Sequence, residues 1–209
     1  MYDIFFEHYK NYDKISIVLE FIAFLFGVLS VYLAKQNNIL VYPTGIISTT
    51  IYVYLLWQWS LLGDMLVNGY YTILSILGWY WWMQRKGKAA EYPIQNASRY
   101  DWVNYGIFFC ITIVFIVLVY LFFDKFTNWY SYVDTLTTGL FMVAMLAMAK
   151  RKIEHWIFWI IGNVLSIPLY FLKGYTITSV QYVVFLILAI AGYIQWKKFL
   201  NKPITNSLK

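Results

Sequence analysis

Seven apolar segments of about 20 residues each account for most of this 209-residue chain. A helix that crosses the hydrocarbon core of a bilayer needs about 20 mainly apolar residues. Charged residues make up 12% of the chain, against roughly 25% in a typical soluble domain. The pattern therefore predicts an all-α membrane protein with seven transmembrane helices and leaves no room for a soluble catalytic domain. The predicted helices cover residues 15–34, 39–59, 64–83, 102–123, 131–149, 155–173 and 177–196.

Residues 20–82 and 134–196 align with each other without a gap, at a constant offset of 114 residues. Few side chains are identical, but apolar runs, helix ends and aromatic residues coincide. Membrane transporters are often built from such internal repeats, with the substrate site between them. The alignment pairs Gly78 with Gly192, Trp82 with Trp196, Tyr42 with Trp156, Thr49 with Asn163 and Glu20 with Asp134.

The fourth apolar segment falls outside both repeats. Three helices leave the chain on the opposite side of the membrane, so a linking helix is needed if both repeats have the same orientation. We therefore predict a three-plus-one-plus-three arrangement of parallel repeats. The first repeat covers residues 15–83, a cytoplasmic linker 84–101, linking helix four 102–123 and the second repeat 131–196.

Lysine and arginine are divided unevenly between the two ends of the predicted helices. Four lie on the N-terminal side, at Lys10, Lys14, Lys125 and Lys173, and the other twelve lie on the opposite side. The positive-inside rule then places the N-terminus outside and the C-terminus in the cytoplasm. The charges among the first fourteen residues indicate that helix one is retained and is not a cleaved signal peptide. This anchoring explains the net charge of +6 without any binding of nucleic acid.

The chain offers little for catalysis. It has two histidines and one cysteine, with no nucleophile–base spacing, no phosphate-binding loop and no cluster of metal ligands. We therefore predict that the protein is not an enzyme and needs no cofactor and no metal.

One face of predicted helix six carries the residues best suited to bind a solute. The spacing of Trp156, Trp159, Asn163, Ser166 and Tyr170 is 3, 4, 3 and 4, which places them on one side of a helix. A buried amide such as Asn163 is costly in hydrocarbon unless it is hydrogen-bonded, so this face should point into the bundle. Two indoles beside an amide could hold a flat, partly polar ring. The alternative is that Trp156 anchors the helix at the interface and Asn163 only joins helices.

Other helices add hydroxyl and amide groups to this predicted site. Such a lining suits a neutral or singly cationic heteroaromatic solute better than a phosphate or a carboxylate, and tryptophan faces favour a cation. The paired acids Glu20 and Asp134 could couple transport to ions, or they could be helix-end acids that bond to hydroxyls or amides. The further site residues are Thr49 on helix two, Asn68 and Thr72 on helix three, Thr138 on helix five and Gln181 on helix seven.

Three sequence blocks resemble the PnuC family of bacterial vitamin transporters, best known for nicotinamide riboside. The helix-six block is Trp156-x-x-Trp159-x-x-x-Asn163. The block 42–48 is similar to the entry to helix two of that family, with Tyr42 in place of its usual tryptophan, and the run 64–82 is similar to its helix-three signature. The resemblance extends over about residues 15–196 and agrees with the seven-helix layout.

The resemblance implies facilitated diffusion of a vitamin nucleoside, SWEET-like parallel repeats, a homotrimer in membrane lipid and a cytoplasmic kinase that traps the solute for NAD biosynthesis. It also implies that Trp156, Trp159 and Asn163 contact the substrate. Family members for nicotinamide riboside tend to have a glutamine near the start of helix three, where this chain has Asn68. Relatives of the same fold carry thiamine. Nicotinamide riboside is thus the expected substrate, and thiamine or a non-transporting scaffold or receptor is the alternative.

Overall fold

The computed structural model describes residues 13–59, 62–86, 89–90, 93–122, 128–174 and 176–201. Within these ranges it contains seven long helices, which confirms the all-α fold class. A hairpin of two short antiparallel strands, β1 (Arg85–Lys86) and β2 (Ala89–Ala90), follows the third helix. The helices are α1 (Lys14–Lys35), α2 (Val41–Gln58), α3 (Leu62–Met83), α4 (Arg99–Phe122), α5 (Tyr130–Ala149), α6 (His155–Leu172) and α7 (Thr176–Leu200).

Five of these helices, α1, α4, α5, α6 and most of α7, are long and apolar enough to cross a membrane. The other two, α2 and α3, are not among them, and both contain several hydroxyl, amide and aromatic side chains. Helix α4 begins three residues earlier than predicted. Ser98 and Asp101 cap it reciprocally, since the Ser98 backbone and hydroxyl donate to Asp101 and the Asp101 backbone donates to the Ser98 hydroxyl.

The helices pack in two consecutive groups. Helix α2 packs against both α1 and α3, and α6 packs against both α5 and α7. The groups meet through α1 against α7 and through α3 against α5, while α4 lies mainly on α5. If α1, α2 and α3 are exchanged in order with α5, α6 and α7, the α1–α7 contact becomes the α5–α3 contact. The two contacts between the groups are therefore equivalent. The three-plus-one-plus-three arrangement of parallel repeats stays a prediction.

The turns after α1 and α5 have the same backbone geometry at positions 114 residues apart. Asn37 has φ 54° and Arg151 has φ 52°, in the left-handed region that commonly ends a helix. The next residue closes each turn in the same way. The amide of Asn38 donates to the Leu33 carbonyl at 3.0 Å, and that of Lys152 donates to the Ala147 carbonyl at 3.0 Å.

One end of the bundle is closed by tryptophans that join the two groups. The Trp82 indole donates to the Ala149 carbonyl at 3.2 Å, and the Trp196 indole donates to the Ala34 carbonyl at 2.8 Å. Each bond runs from the last helix of one group to the C-terminal end of the first helix of the other. We call this the tryptophan end, and we call the opposite end, which carries Asp64 and Asp134, the acidic end.

The segment before α4 docks on the turn between α5 and α6, at the tryptophan end. Gln95 pairs with Lys152 through the backbone, and the Ala97 amide donates to the Glu154 carboxylate at 2.8 Å. The Lys152 ammonium binds the Asp101 carboxylate at 2.8 Å. Arg151, in the same turn, lies over the Trp82 ring at 4.1 Å, and its burial lowers the pKa of the guanidinium from its usual value. These contacts hold the linker against the second group of helices.

Candidate functional site

The predicted stripe on α6 faces the interior of the bundle. Trp156 is 1% exposed, Asn163 is 2% exposed and Ser166 is fully buried. The opposite face carries exposed apolar side chains such as Ile161 and Val164, as expected for a helix with one face in lipid. The 3, 4, 3, 4 spacing therefore separates an inner face from an outer face of α6.

The Asn163 amide has hydrogen-bonding capacity that the protein leaves unused. Its side chain forms no hydrogen bond with any residue that the structure describes, although it is 2% exposed. The buried Trp156 indole nitrogen also has no partner in the described part of the chain. Buried polar groups are almost always hydrogen-bonded, so two such groups on one face need an explanation. A solute that accepts from the indole and bonds to the amide would supply it.

Trp156 is packed into the tryptophan end and does not line an open cleft. Its ring centroid lies 4.4 Å from that of His155 and 6.0 Å from that of Trp196. Gly192 on α7 permits this packing, because a Cβ atom at that position would lie 2.5 Å from the indole. Tyr42 makes the equivalent contact with Gly78, 114 residues earlier. A solute could touch Trp156 only if these rings move.

A series of aromatic rings continues from Trp159 toward the acidic end. Trp159 stacks on Phe141 of α5 at 5.1 Å, Phe141 lies parallel to Tyr182 of α7 at 6.1 Å, and Tyr182 stacks on Tyr170 at 5.0 Å. We call these four residues the aromatic column. Gly162 makes room for the Phe141 ring, with which a Cβ atom would overlap.

The predicted site residues of the first helix group form a separate chain of hydrogen bonds. The Thr49 and Thr72 hydroxyls bond to each other at 2.7 Å and join α2 to α3. The Thr72 hydroxyl also donates to the Asn68 carbonyl, and the Asn68 amide donates to the Asp64 carbonyl at 2.9 Å. These groups approach the α6 face through Tyr71, whose ring lies 6.4 Å from that of Trp159.

Thr138 and Gln181 lie nearer the acidic end. Thr138 borders a small groove together with Asp64 and Tyr120. Gln181 is half-buried and precedes Tyr182 of the aromatic column. A wider groove of about 500 Å³ runs between α4 and α5 and contains none of the predicted site residues. The predicted site residues are thus distributed over the length of the bundle and do not surround one open cavity.

The acidic end contains an ion pair that the sequence analysis missed. The Lys173 ammonium, just after α6, binds the Asp134 carboxylate at 2.8 Å, and the Tyr120 hydroxyl donates to the same carboxylate at 3.4 Å. Asp134 is therefore bonded to a hydroxyl, as expected if it is a helix-end acid. It is also paired with a cation, which neither ion coupling nor a helix-end acid predicted. Phe141 and Tyr71 were missed as well. Gly162, next to Asn163, was the available signal, because a helical glycine often marks the close approach of a neighbour.

The fold and the apolar helices define a multi-pass helical membrane protein. The structure is similar to the crystal structure of the vitamin B3 transporter PnuC, with a TM-score of 0.65 and 24% sequence identity over 87% of this chain and 81% of that one. The match shows the fold. It agrees with the resemblance noted on the sequence blocks.

The chain belongs to the nicotinamide mononucleotide transporter family, whose model matches residues 17–198. It is 24% identical to the nicotinamide riboside transporter PnuC of Escherichia coli K12, over 85% of this chain and 84% of that protein. It is 25% identical to the PnuC of Neisseria mucosa, over 87% and 72%. The riboflavin/roseoflavin transporter RibM of Streptomyces davaonensis is 22% identical over 91% and 89%. The resemblance to the PnuC family is therefore confirmed.

Proposed function

We propose that this protein carries nicotinamide riboside across the bacterial inner membrane by facilitated diffusion. Relatives in Escherichia coli and Neisseria mucosa are named as nicotinamide riboside transporters, at 24% and 25% identity over most of this chain. The observation that carries the proposal is the buried Asn163 amide, which has no partner among the described residues and lies one turn from Trp159. A nicotinamide ring bears both a π-face for the indole and a carboxamide for the amide.

Net uptake in this proposal is driven by chemistry on the far side of the membrane. A cytoplasmic kinase phosphorylates the nucleoside, which adds about −1.5 to −2 units of charge. The rings of the aromatic column do not stabilise a doubly negative phosphate, so the phosphorylated product does not return. The described ion pair at the acidic end leaves Asp134 already neutralised by Lys173, which is consistent with transport that needs no ion gradient.

Two other vitamins are candidates because of specific observations. Thiamine has a cationic ring and a hydroxyl, and Asn68 replaces the glutamine expected for nicotinamide riboside. Riboflavin is named for the relative in Streptomyces davaonensis. Its three fused rings are larger than a nicotinamide ring, so it would have to separate more of the aromatic column.

Uptake by purified protein in liposomes tests the proposal. Labelled nicotinamide riboside, thiamine and riboflavin are offered separately, to wild type and to Trp159→Ala. Trp57→Ala is the matched control, because Trp57 is 64% exposed on the outer surface. We expect saturable entry of nicotinamide riboside that Trp159→Ala abolishes and Trp57→Ala preserves. Entry of thiamine or riboflavin alone would reassign the substrate, and entry of none would reject vitamin transport by this chain.

The proposal includes an arrangement in the membrane. The N-terminus lies outside, the C-terminus lies in the cytoplasm, the two helix groups form parallel repeats, and three copies assemble. The equivalent turns at Asn37 and Arg151 support the repeats. Single cysteines placed at each end of the bundle in a Cys110→Ala background, labelled with a membrane-impermeant reagent, test the orientation. Native mass spectrometry tests the trimer.

A further inference from the structure

The aromatic column ends at a positive charge supplied by the protein itself. The Lys173 ammonium lies 5.2 Å from the centroid of the Tyr170 ring, the last ring of the column. The same ammonium binds the Asp134 carboxylate at 2.8 Å. One cation thus contacts a carboxylate and an aromatic face at once, which is the combination that recognises organic cations.

The ion pair is accessible enough for exchange. The side chains of Lys173 and Asp134 are each 21% exposed. A lysine that leaves such a pair regains rotamer freedom, which offsets part of the lost attraction. The carboxylate is held in place from a second side by the Tyr120 hydroxyl, at 3.4 Å. Lys173 can therefore leave while Asp134 keeps its position.

We propose that Asp134 and Tyr170 form a recognition site for the positive charge of the substrate, which Lys173 occupies until a cationic ring replaces it. This inference rests on the proposed function for its substrate, and it extends that function by naming the residues that read the charge. A pyridinium ring that has replaced Lys173 can stack on Tyr170. It can then move on to Tyr182, whose ring centroid lies 5.0 Å from that of Tyr170. A neutral ring makes the same stacking contacts and gains nothing from the carboxylate.

The site therefore separates cationic heterocycles from neutral ones of the same shape. Nicotinamide riboside and thiamine carry a positive ring, whereas riboflavin does not. Reduction of the nicotinamide ring gives dihydronicotinamide riboside, which is neutral and keeps the ribose and the carboxamide. The two forms of one nucleoside are thus a matched pair that differs mainly in charge.

Transport of this pair tests the inference. Initial uptake of nicotinamide riboside and of its dihydro form is measured in proteoliposomes, with wild type, Asp134→Asn, Lys173→Gln and the double variant. We expect Asp134→Asn to lower the cation-to-neutral ratio of kcat/KM by about fivefold or more, through KM for the cation. Lys173→Gln should raise that ratio, because the carboxylate then has no resident cation.

The double variant controls for folding. It replaces the ion pair by two uncharged amides that can bond to each other, and thermal stability in detergent verifies that the protein folds. We expect its cation-to-neutral ratio to match that of Asp134→Asn. An unchanged ratio in the folded Asp134→Asn and double variants would overturn the inference.

Failure of the proposed function gives a different result. If wild type transports neither form, nicotinamide riboside is not the substrate. The charge site is then tested with 1-methylnicotinamide, a pyridinium cation, and nicotinamide, its neutral parent, by quenching of intrinsic tryptophan fluorescence. A preference for the cation in wild type that Asp134→Asn removes would support the site. Equal binding of both probes to wild type would reject it.

Discussion

A substitution of Asn163 distinguishes a binding site from simple helix packing, because the two predict changes of opposite sign in the free energy of unfolding. Burying an amide without a partner costs about 1–3 kcal/mol in proteins. Asn163 is 2% exposed and bonds to no residue in the described ranges. Replacing it by leucine, which has a similar shape, removes this cost. We therefore expect Asn163→Leu to leave the free energy of unfolding unchanged or to raise it by up to about 2 kcal/mol, and to reduce uptake at least tenfold.

Packing alone predicts the opposite sign. A hydrogen bond between membrane helices contributes about 0.6 kcal/mol on average and at most about 1.7 kcal/mol, so leucine would destabilise the protein by that amount. Unfolding by sodium dodecyl sulfate in mixed micelles measures the difference. Ser48→Ala is the matched control, because the buried Ser48 hydroxyl donates to the Ala23 carbonyl at 2.7 Å. It should lose stability and keep its uptake. A less stable Asn163→Leu protein with normal uptake would refute the reasoning.

Three further outcomes follow from the packing at the tryptophan end. Gly192→Ala should destabilise the protein by about 1–3 kcal/mol, because the new methyl group would lie 2.5 Å from the Trp156 indole. Gly78→Ala should cost a similar amount against Tyr42, while Gly106→Ala, with open space around it, should be neutral; thermal denaturation in detergent compares the three. Trp196→Phe removes the donor to the Ala34 carbonyl and should cost about 1–3 kcal/mol, measured by unfolding in mixed micelles.

The constant offset of 114 residues between the two repeats was the sequence feature that predicted the packing best. It paired Tyr42 with Trp156 and Gly78 with Gly192, and in the structure each ring of the first pair packs on the glycine of the second. Periodicity was enough here, because both halves of each contact lie at fixed positions within neighbouring helices. The ends of the helices were predicted less accurately. Helix α4 starts at Arg99 because Ser98 and Asp101 cap it. A count of apolar residues does not detect a polar cap.

Side-chain contacts among helices α5, α6 and α7 could not be obtained in this way. Phe141 looks like any apolar residue of α5, and only the space left by Gly162 brings it against Trp159. Lys173 counted as one charge in the orientation argument, and its pairing with Asp134 depends on how the ends of two helices meet. The spacing predicted which face of α6 points into the bundle, but it could not arrange that face relative to its neighbours.

Passive transport of nicotinamide riboside is tested by the final distribution of the solute across the membrane. Labelled nicotinamide riboside is added to proteoliposomes with no ion gradient and no kinase inside, and uptake is followed until it stops. We expect saturable entry that ends at equal concentrations inside and outside, and further accumulation only when a nicotinamide riboside kinase and ATP are enclosed. Accumulation above the external concentration that requires an imposed proton or sodium gradient would contradict it.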